Sequence, residues 1–224
     1  IRHTLTMAVS KTLSNLLPKA YLSRLNDVMT SRGFPWYFLP NDVTYGSGYE
    51  YKFGDQNLFG MSKDGQTSCG WTHVLCHDSE PVSQYYDLFI PIVDHIQDRL
   101  GCPFNIFRLR LAMLHNSHHV EDYNTPHTDH ETKHHTGLFY FHDADGDTVL
   151  FDKVDNPNGD LQQRIYDTFH QEYTPVERHK PEANKFVLFD GNRYHGSSNP
   201  ISSQYRIVLN FNFHGMPDDV LTAD

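Results

Sequence analysis

The sequence predicts a mainly β fold, an antiparallel barrel or jelly roll with N-terminal helices packed against its sheet. From Phe104 onward apolar residues recur at period two, the spacing of a half-buried strand. Turn signals separate the runs: Asp145-Gly146, Asn158-Gly159 and Gly191-Asn192. Helical patterns do not alternate with the strands, which excludes a parallel βαβ sheet. The one interruption, from Gly159 to about Tyr173, reads as a short helix or lid between strands.

The elements follow in order. After Pro18, Tyr21, Leu22, Leu25, Val28 and Met29 recur at helical spacing, with Gly33 as a stop. Residues 34–60 are rich in aromatics, among them Trp36, Tyr37, Phe38, Tyr45, Tyr49, Tyr51, Phe53 and Phe59, and read as core and hairpin strands, with an aromatic substrate groove as the alternative. A second helix is expected from about Pro81 to Leu100, split at Pro91 and ended by Gly101. Its stripe of Tyr85, Leu88, Phe89, Ile92 and Ile96 would pack on a sheet. The strands then begin. Phe107, Leu109, Leu111 and Met113 alternate with Arg108, Arg110 and Ala112, and the two arginines, which share a face, are read as facing solvent, with contact to substrate as the alternative. Further strands are expected at 137–142, 147–152, 185–190 and 205–213. No internal repeat or low-complexity tract appears.

Of the 224 residues, 38% are hydrophobic, enough for a full core. No apolar run is long enough to span a membrane. The net charge of −10 would repel phosphate backbones, so no nucleic-acid partner and no membrane partner are expected. The first residues show no charged-then-apolar leader pattern. Cys69, Cys76 and Cys102 are an odd, scattered set that reads as buried free thiols. A reducing, cytoplasmic setting is therefore expected.

With 16 histidines and 28 acidic residues in the chain, chance alone places an acid two positions after about two histidines. Three such pairs occur: His119/Glu121, His127/Asp129 and His170/Glu172. Context selects among them. Residues two apart on extended chain point the same way, so an imidazole and a carboxylate so placed can grip one metal ion. Only His127/Asp129 is followed by strand, turn and strand, and then by His195 after another strand and turn. Two histidines and one carboxylate on one face of an iron ion leave positions open, as in non-haem Fe(II) oxygenases. Arg206 follows on the last strong strand. There Tyr205, Ile207, Leu209, Phe211 and Phe213 form one face, and Arg206, Val208, Asn210 and Asn212 the other. A central strand with a polar stripe needs a polar object to face. A dicarboxylate would serve, because a guanidinium pairs with carboxylate through two parallel hydrogen bonds.

At Pro126–Asp129, Thr136–Phe141, Asp145–Asp152, Asn184–Ser198 and Tyr205–Phe213 the sequence resembles the Fe(II)/2-oxoglutarate-dependent dioxygenase superfamily, in its prolyl-hydroxylase-like branch. The resemblance covers roughly residues 104–213. It implies a double-stranded β-helix (jelly roll) core there, with residues 1–103 as helical or irregular support, in a single domain over 1–224. It implies His127, Asp129 and His195 as ligands of Fe(II). Arg206 would hold the distal carboxylate of the co-substrate 2-oxoglutarate, with Tyr140 as a second contact to it. The implied reaction hydroxylates a small molecule or a peptidyl side chain with O2, releasing succinate and CO2. Two departures stand out. Repair demethylases of nucleic acids carry a second arginine where this chain has Asn212, which speaks against that branch. Tyr123 lies four residues before His127 rather than the family's three, so the resemblance names no residue for the 1-carboxylate of 2-oxoglutarate.

Other signals are set aside. The run Asp143–Asp147 looks like a calcium loop, but its Gly146 is fourth where the loop needs Gly sixth, and Val154 stands at the twelfth place where Glu is required, so it reads as a turn. Asn192, Arg193 and Tyr194 flank His195 and are candidates for substrate contact. Two rival readings remain: a cupin-like metal enzyme without 2-oxoglutarate, and a non-catalytic jelly-roll binding module.

Overall fold

The computed structural model describes residues 9–39, 52–53, 56–57, 69–116 and 122–221. Strand β1 (Ser10–Ser14) precedes helix α1 (Lys19–Met29), whose N-cap is Pro18. In the aromatic segment lie β2 (Tyr37–Leu39), β3 (Lys52–Phe53) and β4 (Gln56–Asn57), the last two paired with each other. Tyr45, Tyr49, Tyr51 and Phe59 lie outside the described residues. Then come β5 (Gly70–His77) and β6 (Glu80–Pro81).

The helix expected from Pro81 starts later than its sequence suggested. Pro81 is in β6, paired with Cys76, and helix begins only with α2 (Tyr86–Phe89). Pro91 does split it, standing in the first turn of α3 (Pro91–Leu100), where its missing N–H costs nothing. Gly101, at φ 68°, ends α3 in the left-handed conformation. The rest of the chain is β7 (Asn105–His115), β8 (His135–Tyr140), β9 (Thr148–Val154), helix α4 (Leu161–His170), β10 (Pro175–His179), β11 (Lys185–Asp190), β12 (Arg193–Ser197) and β13 (Tyr205–His214). The segment at 159–173 is thus the inserted helix the sequence implied.

The large sheet runs β1-β11-β8-β13-β7-β5-β2, with β6 outside on β5. The small sheet runs β10-β9-β12, and every pairing in both sheets is antiparallel. This is the predicted mainly β jelly roll. Residues before 104 supply helices and also both edges of the large sheet.

The outer face of the large sheet is covered by helices. Leu25 and Met29 of α1, Phe89 of α2 and Ile92 and Ile96 of α3 join one core with Leu109, Leu111, Phe139, Phe186, Leu209 and Phe211. Each such fully buried side chain contributes roughly 1.5–3 kcal/mol, so the helices clamp the sheet. A second core of Leu138, Tyr140, Leu150, Val187, Phe189 and Val208 fills the space between the two sheets. Of the cysteines, all free, Cys76 is buried, while Cys69 and Cys102 are half-buried. No helix among the described residues is long and apolar enough to cross a membrane.

The aspartate-rich turn after β8 is built by its carboxylates. Asp145 accepts hydrogen bonds from the backbone N–H groups of Ile201, Ser202 and Ser203, at 2.8, 2.7 and 2.7 Å. Asp143 accepts from the N–H of Ala183 at 2.7 Å. Gly146, at φ 94°, lets this turn approach Ser198, whose carbonyl oxygen would lie 2.7 Å from an added Cβ. Burial pushes the Asp145 carboxyl up, but the donors on Ser202, Ser203 and Ile201 outweigh it and hold it well below the usual carboxylate range. Its folded value is depressed, so its stabilising contribution is complete above the unfolded value near 4 and disappears as pH falls through the folded one. Thermal melts across acid pH test this. Asp145→Asn should lose less melting temperature between about pH 6 and 3 than the parent chain, and equal slopes would contradict the assignment.

Candidate metal centre

His127 and His195 are 68 residues apart in sequence and adjacent in space. His127 forms an isolated antiparallel bridge to His195 at the edge of the small sheet. Their backbones exchange two hydrogen bonds, N–H of each to the carbonyl of the other, both 2.9 Å. Such a pair sets the two side chains on one face. The rings lie 4.8 Å apart between centroids. Gly196 permits this approach, since a Cβ there would sit 2.8 Å from the carbonyl oxygen of Asn124.

Asp129 completes the group. One ligand atom from each of His127, Asp129 and His195 lies within 4.8 Å of the other two. His195 Nε2 is 3.6 Å from Asp129 Oδ2. Both imidazoles are turned by their other nitrogen: His127 Nδ1 lies 2.9 Å from the carbonyl oxygen of Thr125, and His195 Nδ1 3.1 Å from that of Arg193. A carbonyl accepts only from an N–H, so each Nδ1 carries the proton and each Nε2 keeps its lone pair for an ion. Burial, with the facing His195, lowers the His127 pKa to about 4, so it is neutral at ordinary pH, as a ligand must be. At Asp129 burial works in the opposite sense. The His195 ring and then Arg108 outweigh it and hold the carboxyl well below the usual range.

The sequence reading did not name what holds Asp129. Its Oδ2 accepts from Asn210 Nδ2 at 3.0 Å, Asn212 Nδ2 at 2.9 Å and Thr136 Oγ1 at 3.4 Å. Arg108 Nη1 is 3.5 Å from Oδ1 and donates to Asn212 Oδ1 at 3.0 Å. Half of the polar stripe on β13 therefore serves Asp129. Its signal was present in the strand alternation, which puts Asn210 and Asn212 on the face of Arg206. Arg108 and Arg110 also point inward, contrary to the solvent-facing expectation, because β7 lies beside β13 and its register places them level with Asn212 and Asn210.

Arg206 is 4% exposed and shares a cavity with the three candidate ligands. Its Nη2 donates to Thr148 Oγ1 at 2.6 Å, and the same oxygen accepts from Tyr140 Oη at 2.7 Å. The guanidinium carbon lies 5.7 Å from the centre of the Tyr140 ring. Thr148, absent from the sequence reading, lines the cavity where Tyr140 stands behind it. The other candidates are placed elsewhere. Asn192 is buried and donates to the carbonyl of Thr132, and Arg193 donates to that of Phe151. Tyr194 is buried, pairs with Thr168 and lines a second cavity beside α4. The cavity near His195 is instead lined by Gly196 and Ser197. His119 and Glu121 lie outside the described residues.

No family model and no curated protein sequence matches the chain. Solved structures do. An oxidoreductase of the 2OG-Fe(II) oxygenase family from Burkholderia pseudomallei aligns with a TM-score of 0.59 at 11% identity, over 92% of this chain and 84% of that one. The non-haem α-ketoglutarate-dependent epimerase SnoN of nogalamycin biosynthesis aligns at 0.54 and 10% identity, over 93% and 78%. A viral collagen prolyl hydroxylase from Paramecium bursaria Chlorella virus-1 aligns at 0.50 and 10% identity, over 93% and 97%. The shared property is the fold. This chain has the double-stranded β-helix of these oxygenases, as its sequence resemblance implied.

The asparagine pair gives a test that needs no turnover. Asn212→Ala removes one donor to Asp129 and the acceptor of Arg108, and should weaken divalent-metal affinity by about 10- to 100-fold. Metal titration by calorimetry, with circular dichroism to verify the fold, checks it. An unchanged affinity would remove Asn212 from the site.

Proposed function

We propose that this protein is a non-haem Fe(II)/2-oxoglutarate-dependent dioxygenase that hydroxylates a small molecule or a peptidyl side chain. The observation that carries the reading is a buried arginine, Arg206, lining the same cavity as His127, Asp129 and His195. A metal enzyme that uses no keto acid does not need a guanidinium there.

The donor set fits a divalent transition ion. Two imidazoles and one carboxylate come from one side, and among the described residues no cysteine joins them to close a structural zinc site. His127, Asp129 and His195 would hold the ion. Arg206, with Thr148 beside it, would receive the distal carboxylate of 2-oxoglutarate by charge-assisted hydrogen bonds. When bound, iron(II) and 2-oxoglutarate together supply the oxidising chemistry, in which O2 is consumed, succinate and CO2 are released and one oxygen atom goes to the substrate.

The chain's own residues supply orientation. The Thr125 and Arg193 carbonyls fix both imidazoles. Asn210, Asn212 and Arg108 fix the carboxylate and keep it ionised. Leu138 and Val208 supply apolar lining to the same cavity, which would limit water there. The neighbours' names include a hydroxylase and an epimerase, and they do not choose the substrate of this chain.

Anaerobic titration of 2-oxoglutarate into Fe(II)-loaded protein tests the reading through the visible charge-transfer band of the chelate. The band should appear in the parent chain, vanish in His127→Ala and need at least tenfold more keto acid in Arg206→Ala. An iron-loaded parent chain with no band would favour a cupin-like metal enzyme. Failure to bind any metal would favour a jelly-roll binding module.

A further inference from the structure

Three arginines point into the space between the sheets, and two of them have clear duties. Arg108 braces Asn212 and Asp129. Arg206 sits on Thr148 and Tyr140. Arg110 differs. It lines the cavity beside the candidate ligands, and its Nε, like that of Arg206, is buried and meets no acceptor among the described residues, but it lacks the hydrogen bond that ties Arg206 to Thr148. Its register neighbours are Val74 on β5 and Asn210 on β13, neither of which carries charge. A guanidinium held this way is costly unless an anion joins it.

Position separates Arg110 from Arg206. In the pairing of β7 with β13, Arg206 is level with Leu114, and Arg110 lies four residues farther along, about 13 Å at the rise of an extended strand. Arg206 is buried, whereas Arg110 is half-buried and so lies nearer to solvent. Asn210, level with it, has its amide nitrogen committed to Asp129, and its Oδ1 is buried without a donor. Arg110 Nε and Asn210 Oδ1, on adjacent strands, thus both lack a partner among the described residues at one level of the cavity.

Charge points the same way. Among the described residues lining the cavity, two guanidiniums face a single carboxylate, Asp129. A dication and dianionic 2-oxoglutarate cancel each other, leaving one positive charge uncompensated, and Arg110 is the group without a counterion.

We propose that Arg110 is a substrate-binding residue and that the primary substrate is a carboxylic acid, which seats its carboxylate on Arg110 beside the metal ligands. The proposal rests on the oxygenase reading for the identity of the group at Arg206. The carboxylate comes from the substrate, and a second grip on 2-oxoglutarate is the competing source.

The test uses Zn(II)-loaded protein saturated with 2-oxoglutarate, and straight-chain acids from acetate to hexanoate against their primary amides, followed by ligand-observed NMR. The parent chain should bind the best acid at least tenfold more tightly than its amide. Arg110→Gln should lose that preference, and Arg110→Lys should keep part of it. No preference in the parent chain, or a preference that survives in Arg110→Gln, overturns the proposal. So does a loss of 2-oxoglutarate affinity in Arg110→Gln as large as in Arg206→Gln, which would make Arg110 a grip on the keto acid. If the parent chain binds no 2-oxoglutarate, the oxygenase reading falls. The acid-amide comparison on the Zn(II)-loaded protein, in Arg110→Gln and Arg206→Gln side by side, then decides Arg110 by itself.

Discussion

Two backbone hydrogen bonds between His127 and His195 join a loop to the edge strand of the small sheet, and the whole site is built on that join. Side-chain positions inherit the precision of the backbone that carries them. An antiparallel bridge of this kind holds two residues at a fixed spacing with both side chains on one face. Asp129, two positions beyond His127, is carried into the space between the sheets by the same join. Gly196 is the local condition for it, because any side chain there would meet the carbonyl of Asn124.

Around that join the protein buries an unusual density of polar groups. A carboxylate, three arginines and two asparagines face the space between sheets that elsewhere holds leucine, valine and phenylalanine. Buried polar groups stabilise only when paired, and half-paired ones cost free energy. Asp129 is satisfied by Asn210 and Asn212, and Thr148 accepts from both Arg206 and Tyr140. The outer face of the same sheet is an apolar core under three helices. That core, rather than the inner space, supplies the apolar burial that lets β13 and β7 carry so much polarity on their other side. Fold stability and site chemistry are thus divided between the two faces of single strands.

The division was legible in β13. Its alternation places Ile207, Leu209, Phe211 and Phe213 opposite Arg206, Asn210 and Asn212, and the structure assigns the first set to the helix-covered core and the second to the cavity. It was not legible in β7. Arg108 and Arg110 alternate in the same manner, but alternation shows only that two residues share a face, not whether that face meets water or a second sheet. The residues after Gly191 show the opposite error. Asn192, Arg193 and Tyr194 are close to His195 in sequence, yet strand geometry turns Tyr194 to the opposite face, against Thr168. Similarly, Pro81 was compatible with a helix start until its pairing with Cys76 became visible.

By itself the sequence determined the mainly β class, the main strands from Phe104 onward, the split helix at Pro91 and the pairing of an imidazole with a carboxylate two residues later. These depend on local rules: side-chain periodicity, the fixed φ of proline, and the common direction of residues i and i+2 on extended chain. Only the tertiary structure decided that His195 lies against His127, that Asn210 and Asn212 hold Asp129, and that Arg110 faces the cavity. Those facts are registers between strands distant in sequence. A register is chosen by the packing of both sheet faces at once, and no single segment contains that information.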